Sequence, residues 1–225
     1  MIDFEKRMIF VHIPKCGGSS IEDALFFNKK TSKNLFGIAT QEQRKTFRRG
    51  TMLRTNAGLQ HMIASDILFE FGGNVFNNCF KFSFSRNPYD RAVSHFFWAR
   101  GQEKYQSMLN LSIDDFSFKN YLLDIDPFRS NTANNPFPHS HFRNQCDFIL
   151  DQNGNLLLDF IGKLENAQQD FDIICNKIGI PQQRLPHVNK SAHKHYTKYY
   201  DDETRKIVAE KYARDIEYFG YKFGE

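Results

Sequence analysis

Apolar residues change their period several times along the chain, and each change marks an element. Residues 8–13 (MIFVHI) are almost continuously apolar and end at Pro14, which predicts a buried strand. The polar segment KCGGSS follows as a tight loop, with Ser19 or Ser20 as the cap of a helix over residues 21–27. Residues 28–60 are polar and basic and predict little regular structure. Ile63, Ile67, Leu68 and Phe71 recur at helical spacing, and Gly72-Gly73 predicts the stop. Residues 80–85 (FKFSFS) alternate with the period of a strand, which Arg86-Asn87-Pro88 breaks. A helix over residues 89–100 places Ala92, Val93, Phe96 and Phe97 on one side, and another covers residues 115–123.

The second half reads less evenly. Residues 131–143 form a loop holding Pro136 and Pro138. Residues 148–151 and 156–161 read as strands around an Asn153-Gly154 hairpin turn. Phe171, Ile174, Cys175 and Ile178 mark a helix over residues 166–178 that stops at Gly179. A second basic loop covers residues 182–199, and a final helix covers residues 202–218. Strands alternating with helices predict an α/β fold, a sheet with helices on its faces.

Composition narrows the class. A chain of 225 residues fits one domain better than two, and 40% hydrophobic with 25% charged residues is ordinary for a globular protein. The 24 Phe, 9 Tyr and one Trp give it material for a large core. A net charge of +4 admits anionic ligands but is too weak to argue for nucleic acid. Cys16, Cys79, Cys146 and Cys175 form no Cys-x-x-Cys pair, which argues against structural zinc and a disulfide framework and favours a reducing compartment. The N-terminal apolar run is too short for a signal peptide or a membrane span, and no longer one occurs, so a cytoplasmic protein is expected.

Two segments carry candidate chemistry. A glycine-containing turn entering a helix offers backbone N–H groups and the positive helix end, to which Lys15, Ser19 and Ser20 add a charge and two hydroxyls. That combination suits a phosphate, although an ordinary β–α turn with Lys15 exposed has the same pattern. It is not a Walker A loop, because the lysine precedes the glycines. In RNPYDRAVSHF, Arg86 leaves a strand and Ser94 follows about two helical turns later, an arrangement able to hold a second phosphate. A simple helix start with Arg86 paired to Asp90 fits equally well.

Together, HIPKCGGSSIEDAL and FSFSRNPYDRAVSHFF resemble the sulfotransferase superfamily, most nearly the carbohydrate sulfotransferases of the heparan and uronosyl 2-O type and their short bacterial relatives. The stretches beginning QCDFILD and LPHVNKS resemble that family's C-terminal half, whereas residues 28–56 and 101–140 match least. Cys16 and Ser19 stand where threonine is commoner. The resemblance implies a single domain over residues 1–225 with a P-loop-like parallel sheet flanked by helices. The sulfuryl donor would be 3′-phosphoadenosine 5′-phosphosulfate (PAPS), the nucleotide product 3′,5′-ADP, and the acceptor a carbohydrate or glycolipid hydroxyl. The start of the chain close to its first core strand resembles a free-standing form without stem or anchor.

By the same resemblance, Lys15, Cys16, Gly17, Gly18, Ser19 and Ser20 grip the 5′-phosphosulfate, and Arg86 and Ser94 the 3′-phosphate. His61, just before a helix, is the expected base, and Lys15 the group that follows charge onto the leaving phosphate. Ser191 and Lys194 lie in a basic loop that would close over the nucleotide. Arg49 and Arg54, within the Arg44–Arg54 cluster, and Arg143 and Gln145 are candidate acceptor contacts. His12 and His95 read as structural, Trp98 as packing, Glu165 as a helix-start carboxylate, and the His-x-His pairs as lacking further metal ligands. The transferred sulfuryl carries less charge than a phosphoryl, so no metal is expected. A small nucleotide or sugar kinase and a non-catalytic nucleotide-binding module are the competing readings. No nucleic-acid partner and no integral membrane segment are expected, and the sequence does not encode an oligomeric state.

Overall fold

The structure, a computed structural model, describes residues 1–25, 61–102, 116–124, 139–186, 188 and 194–225. In chain order its principal elements are β1 (Ile2–Asp3), β2 (Met8–Phe10), α1 (Gly18–Leu25), α2 (Ala64–Asn77), β3 (Phe80–Ser85) and α3 (Pro88–Arg100). These are followed by α4 (Phe118–Asp124), α5 (Cys146–Ile149), β4 (Phe160–Lys163), α6 (Ala167–Ile178), α7 (Asp202–Lys211) and α8 (Ala213–Phe219). They fall into two compact units: Met1–Ser85 with Gln145–Asn189, and Arg86–Asn144 with Lys190–Glu225.

The first unit holds the sheet, in the order β1-β2-β3-β4. β2, β3 and β4 run parallel, with Phe10 opposite Phe82 and Phe82 opposite Phe160, while β1 pairs antiparallel with β2. Phe10, Phe82 and Phe84 are almost completely buried, as strands covered on both faces require. Helix α6 packs on β3 and β4. Gly162 permits this closeness, since a Cβ there would lie 2.7 Å from a Phe84 ring carbon and 3.0 Å from Asp170 Cβ. The parallel strands all point one way, so the loop after β2 lies at the carboxyl edge of the sheet, where open α/β sheets bind ligands.

The second unit is built on aromatic packing. Tyr89, Val93, Phe96, Phe116, Phe118, Tyr121, Phe142, Tyr196, Val208 and Tyr212 form its buried cluster. Phe96 stacks on Phe116 with centroids 5.6 Å apart, and Tyr200 meets Phe118 edge-on at 5.0 Å.

Several expectations are corrected. Residues 146–149 form a short helix, not part of a strand over 148–151, and the hairpin is reduced to one bridge, Leu150 to Leu156. A short apolar run has no periodicity to separate helix from strand. The turn itself stands: Gly154 has φ 83°, and the Asp151 carboxylate accepts from the N–H groups of Asn153 and Asn155 at 2.8 Å. The stop expected at Gly72 stands, since its backbone (φ 77°, ψ 158°) is not helical, but a second helical stretch follows within the range of α2 and buries Phe76. The final helix is two, divided at Tyr212. The i to i−4 bonds from Tyr212 to Val208 and from Ile216 to Tyr212 persist across the division, and Tyr212 is buried. β1 has no counterpart in the sequence reading, being only two residues long.

Candidate active site

In the first unit the loop between β2 and α1 is seated on its surroundings. Lys15 and Gly17 have left-handed backbone, φ 68° and 79°. Glycine adopts this freely, but at lysine it costs roughly 1–3 kcal/mol and persists only where neighbours enforce it. Cys16 is one such anchor: 1% exposed, it donates its thiol to Gln145 Oε1 at 3.2 Å. Leu164, just after β4, is another, because a Cβ on Gly17 would come within 2.6 Å of its Cδ1. Gln145 is itself fully buried, and its carboxamide serves the loop.

The turn closes when the N–H groups of Ser20 and Ile21 donate to the Gly17 carbonyl, at 3.0 and 3.4 Å. Among the described residues nothing accepts from the backbone N–H groups of Gly17, Gly18 and Ser19. Three such donors at the start of a helix form a nest for an anion. The Ser20 hydroxyl oxygen accepts from the Val188 N–H at 3.2 Å. The hydroxyl protons of Ser19 and Ser20 go to no described residue.

His61 stands just ahead of α2 and is partly buried. Its Nδ1–H donates to the His12 carbonyl oxygen at 3.0 Å. A carbonyl can only accept, so Nδ1 carries the proton and the neutral ring has its lone pair on Nε2. His12 is 5% exposed, stacks on Phe10 with centroids 5.6 Å apart, and donates Nδ1–H to Glu22. Glu22 escaped the sequence reading: one charged residue in a short amphipathic helix looks solvated, and no spacing announces its burial.

In the second unit, Asn87 is 1% exposed and caps α3 by accepting from the Tyr89 N–H at 3.1 Å. Its amide nitrogen donates to the Lys222 carbonyl at 2.9 Å. Arg86 donates from Nε and Nη2 to Asp90 Oδ2, both at 2.9 Å, which is the pairing the sequence also allowed. Ser94 is buried at 3% on the same helix. The Arg143 carbonyl accepts from Arg91 Nη1 at 3.0 Å, and the Lys194 N–H donates to the Tyr199 hydroxyl at 3.0 Å. His95 is buried against Tyr121 and Phe142, and Trp98 packs beside it and His141. Arg49, Arg54 and Ser191 lie outside the described residues.

Among the described residues, no group of three His, Cys, Asp or Glu is placed to hold a metal, and no helix is long and apolar enough to cross a membrane. None of the four cysteines is in a disulfide, and all are buried. Burial pushes the thiols of Cys79 and Cys175 above the ordinary cysteine range.

Comparison with known proteins gives the family. The sequence model described as the sulfotransferase family matches residues 1–222. The chain belongs to the sulfotransferase family. Sulfuryl transfer is accordingly its reaction class, and the mostly parallel sheet flanked by helices is the sulfotransferase fold. An uncharacterized protein of Archaeoglobus fulgidus is 27% identical over 137 residues, which cover 61% of this sulfotransferase and 92% of that chain. No solved structure matches.

Proposed function

We propose that this sulfotransferase moves a sulfuryl group from PAPS to a hydroxyl of a carbohydrate acceptor. The observation that carries this reading is the loop after β2: three backbone N–H groups that no described residue accepts from, at a helix start, beside Lys15 and two serine hydroxyls. That donor set fits an anionic phosphosulfate. When bound, PAPS supplies a sulfuryl group already joined to a stable leaving phosphate. Lys15, Gly17, Gly18, Ser19 and Ser20 hold the 5′ end, and Cys16 supports them from below. Arg86 and Ser94, with Ser191 and Lys194 from the basic loop, take the 3′-phosphate, and Arg49, Arg54 and Arg143 serve the acceptor.

His61 Nε2 accepts the proton of the attacking hydroxyl as the new oxygen–sulfur bond forms, a role worth roughly 10²–10⁴-fold. As the old sulfur–oxygen bond breaks, its electron pair remains on the phosphate oxygen. The Lys15 ammonium and the loop N–H groups stabilise that charge where it grows. The test is formation of 3′,5′-ADP from PAPS with EDTA present, against a panel of neutral and acidic glycans. Acceptor-dependent turnover is expected. Turnover only with ATP and magnesium would replace this reading with a kinase.

A further inference from the structure

Within the first unit, the segment that follows α6 reaches the loop between β2 and α1 with almost nothing buried. Residues 181–184 are exposed, Leu185 and Pro186 are partly buried, and Val188 is 38% exposed. Chain with so little apolar burial stays where its hydrogen bonds hold it. At residue 183 the hold comes from α6 and α1: the Gln183 N–H bonds to the Cys175 thiol, and Gln183 Nε2 donates to the Ala24 carbonyl at 3.4 Å.

Gln168, exposed on α6, carries that hold toward the loop. Its Oε1 accepts from the Leu185 N–H at 2.9 Å, and its Nε2 donates to the Gln183 carbonyl at 3.0 Å. The carboxamide thus pairs with residues 183 and 185 as the main chain of an adjoining strand would. Nε2 also donates to Asp172 Oδ1 at 2.8 Å, one helical turn on, so both of its protons are used and the amide can face only one way. Among the described residues, the Leu185 bond is the last one the main chain makes before Val188. Pro186, between them, has a fixed φ and no N–H to offer. Val188 N–H then donates to Ser20 Oγ at 3.2 Å. That bond occupies a lone pair of the hydroxyl and turns its O–H away from Val188, free to donate to an anion.

We infer that Gln168 is a positioning residue for the donor nucleotide: it clamps residues 183–188 so that the Val188 N–H holds the Ser20 hydroxyl as a donor to the 5′-phosphate. This rests on Ser20 holding the 5′ end, as proposed above. The test uses Gln168→Leu, which keeps the size of the side chain and removes its three hydrogen bonds. The position is exposed, so Tm should fall by about 3 °C or less. Amide exchange read residue by residue should quicken at least 10-fold at Leu185 and Val188 and stay within twofold in β3. The dissociation constant for 3′,5′-ADP should rise at least fivefold, and that for 3′-AMP, which lacks the 5′-phosphate, less than twofold. In a Ser20→Ala background Gln168→Leu should add less than a twofold loss, because the clamp acts through that hydroxyl.

Unchanged exchange at Val188 would show that Gln168 is not the clamp. Quickened exchange with 3′,5′-ADP binding as in wild type would show that Ser20 does not need it. An equal loss for 3′-AMP, or an undiminished fivefold loss in the Ser20→Ala background, would place the effect of Gln168 outside the 5′ site. Each of these results overturns the inference and leaves the functional proposal standing. A wild type that binds no 3′,5′-ADP overturns both.

Discussion

His61 is where a single atom matters most. With its proton held on Nδ1 by the His12 carbonyl, the neutral ring has its lone pair on Nε2, the atom we propose as the base. His61→Ala should leave 3′,5′-ADP binding within twofold and cut turnover at least 100-fold, as separate titration and rate measurements will show. Full activity in that variant would move the base elsewhere. At this scale the turn from β2 into α1 was legible, because two glycines and two serines after an apolar run ending in proline mark a tight loop and a helix start. The support beneath it was not. Cys16 reads as a small residue, and only the fold brings Gln145 to its thiol and Glu22 to His12. Residues 129 positions apart in sequence carry no local signal of their contact.

Elements were read well where one period runs unbroken. β3 falls on the expected six residues because FKFSFS alternates throughout, and α6 ends at Gly179 in left-handed backbone as its sequence asks. Elements were misread where a short apolar run carries no period, as at residues 148–149, which end a helix rather than begin a strand. Packing between elements also sets a limit on substitution. Gly162→Ala would drive a methyl into the Phe84 ring and Asp170 between β4 and α6, and should cost roughly 1–3 kcal/mol in denaturant unfolding. A loss below a few tenths would mean that α6 can move away from the strand.

The cap of α7 gives a pH signature. The Asp201 carboxylate accepts from the Thr204 hydroxyl at 2.6 Å and from its N–H at 2.7 Å, and these bonds hold its pKa below the ordinary 3.8. A carboxyl depressed in the folded state stabilises the fold above its unfolded value, and that contribution is lost as pH falls through the folded one. The Tm difference between wild type and Asp201→Asn should therefore be largest near neutrality and shrink below pH 3.8. A difference independent of pH would remove the carboxylate from the cap's contribution.

For the whole molecule, a nucleotide that binds only the folded state raises stability by about 2.7 kcal/mol at about 100 times its dissociation constant. For a chain of this length that is a Tm rise of about 5–10 °C. We expect it with 3′,5′-ADP and a much smaller rise with 5′-AMP at the same concentration. Arg86→Ala should weaken 3′,5′-ADP at least 10-fold and 5′-AMP less than twofold. Equal responses to the two nucleotides would remove the argument for a 3′-phosphate site.

By itself the sequence determined the α/β class, the glycine-containing turn that enters a helix, and the histidine ahead of a helix, because short-range spacing and residue chemistry encode these directly. Tertiary structure alone decided which proton His61 carries, that Lys15 is held in left-handed backbone, that Gly18 is small because His12 lies under it, and that Glu22 is buried. Each of these depends on a neighbour distant along the chain or on exclusion of water, and neither leaves a periodic trace in the sequence.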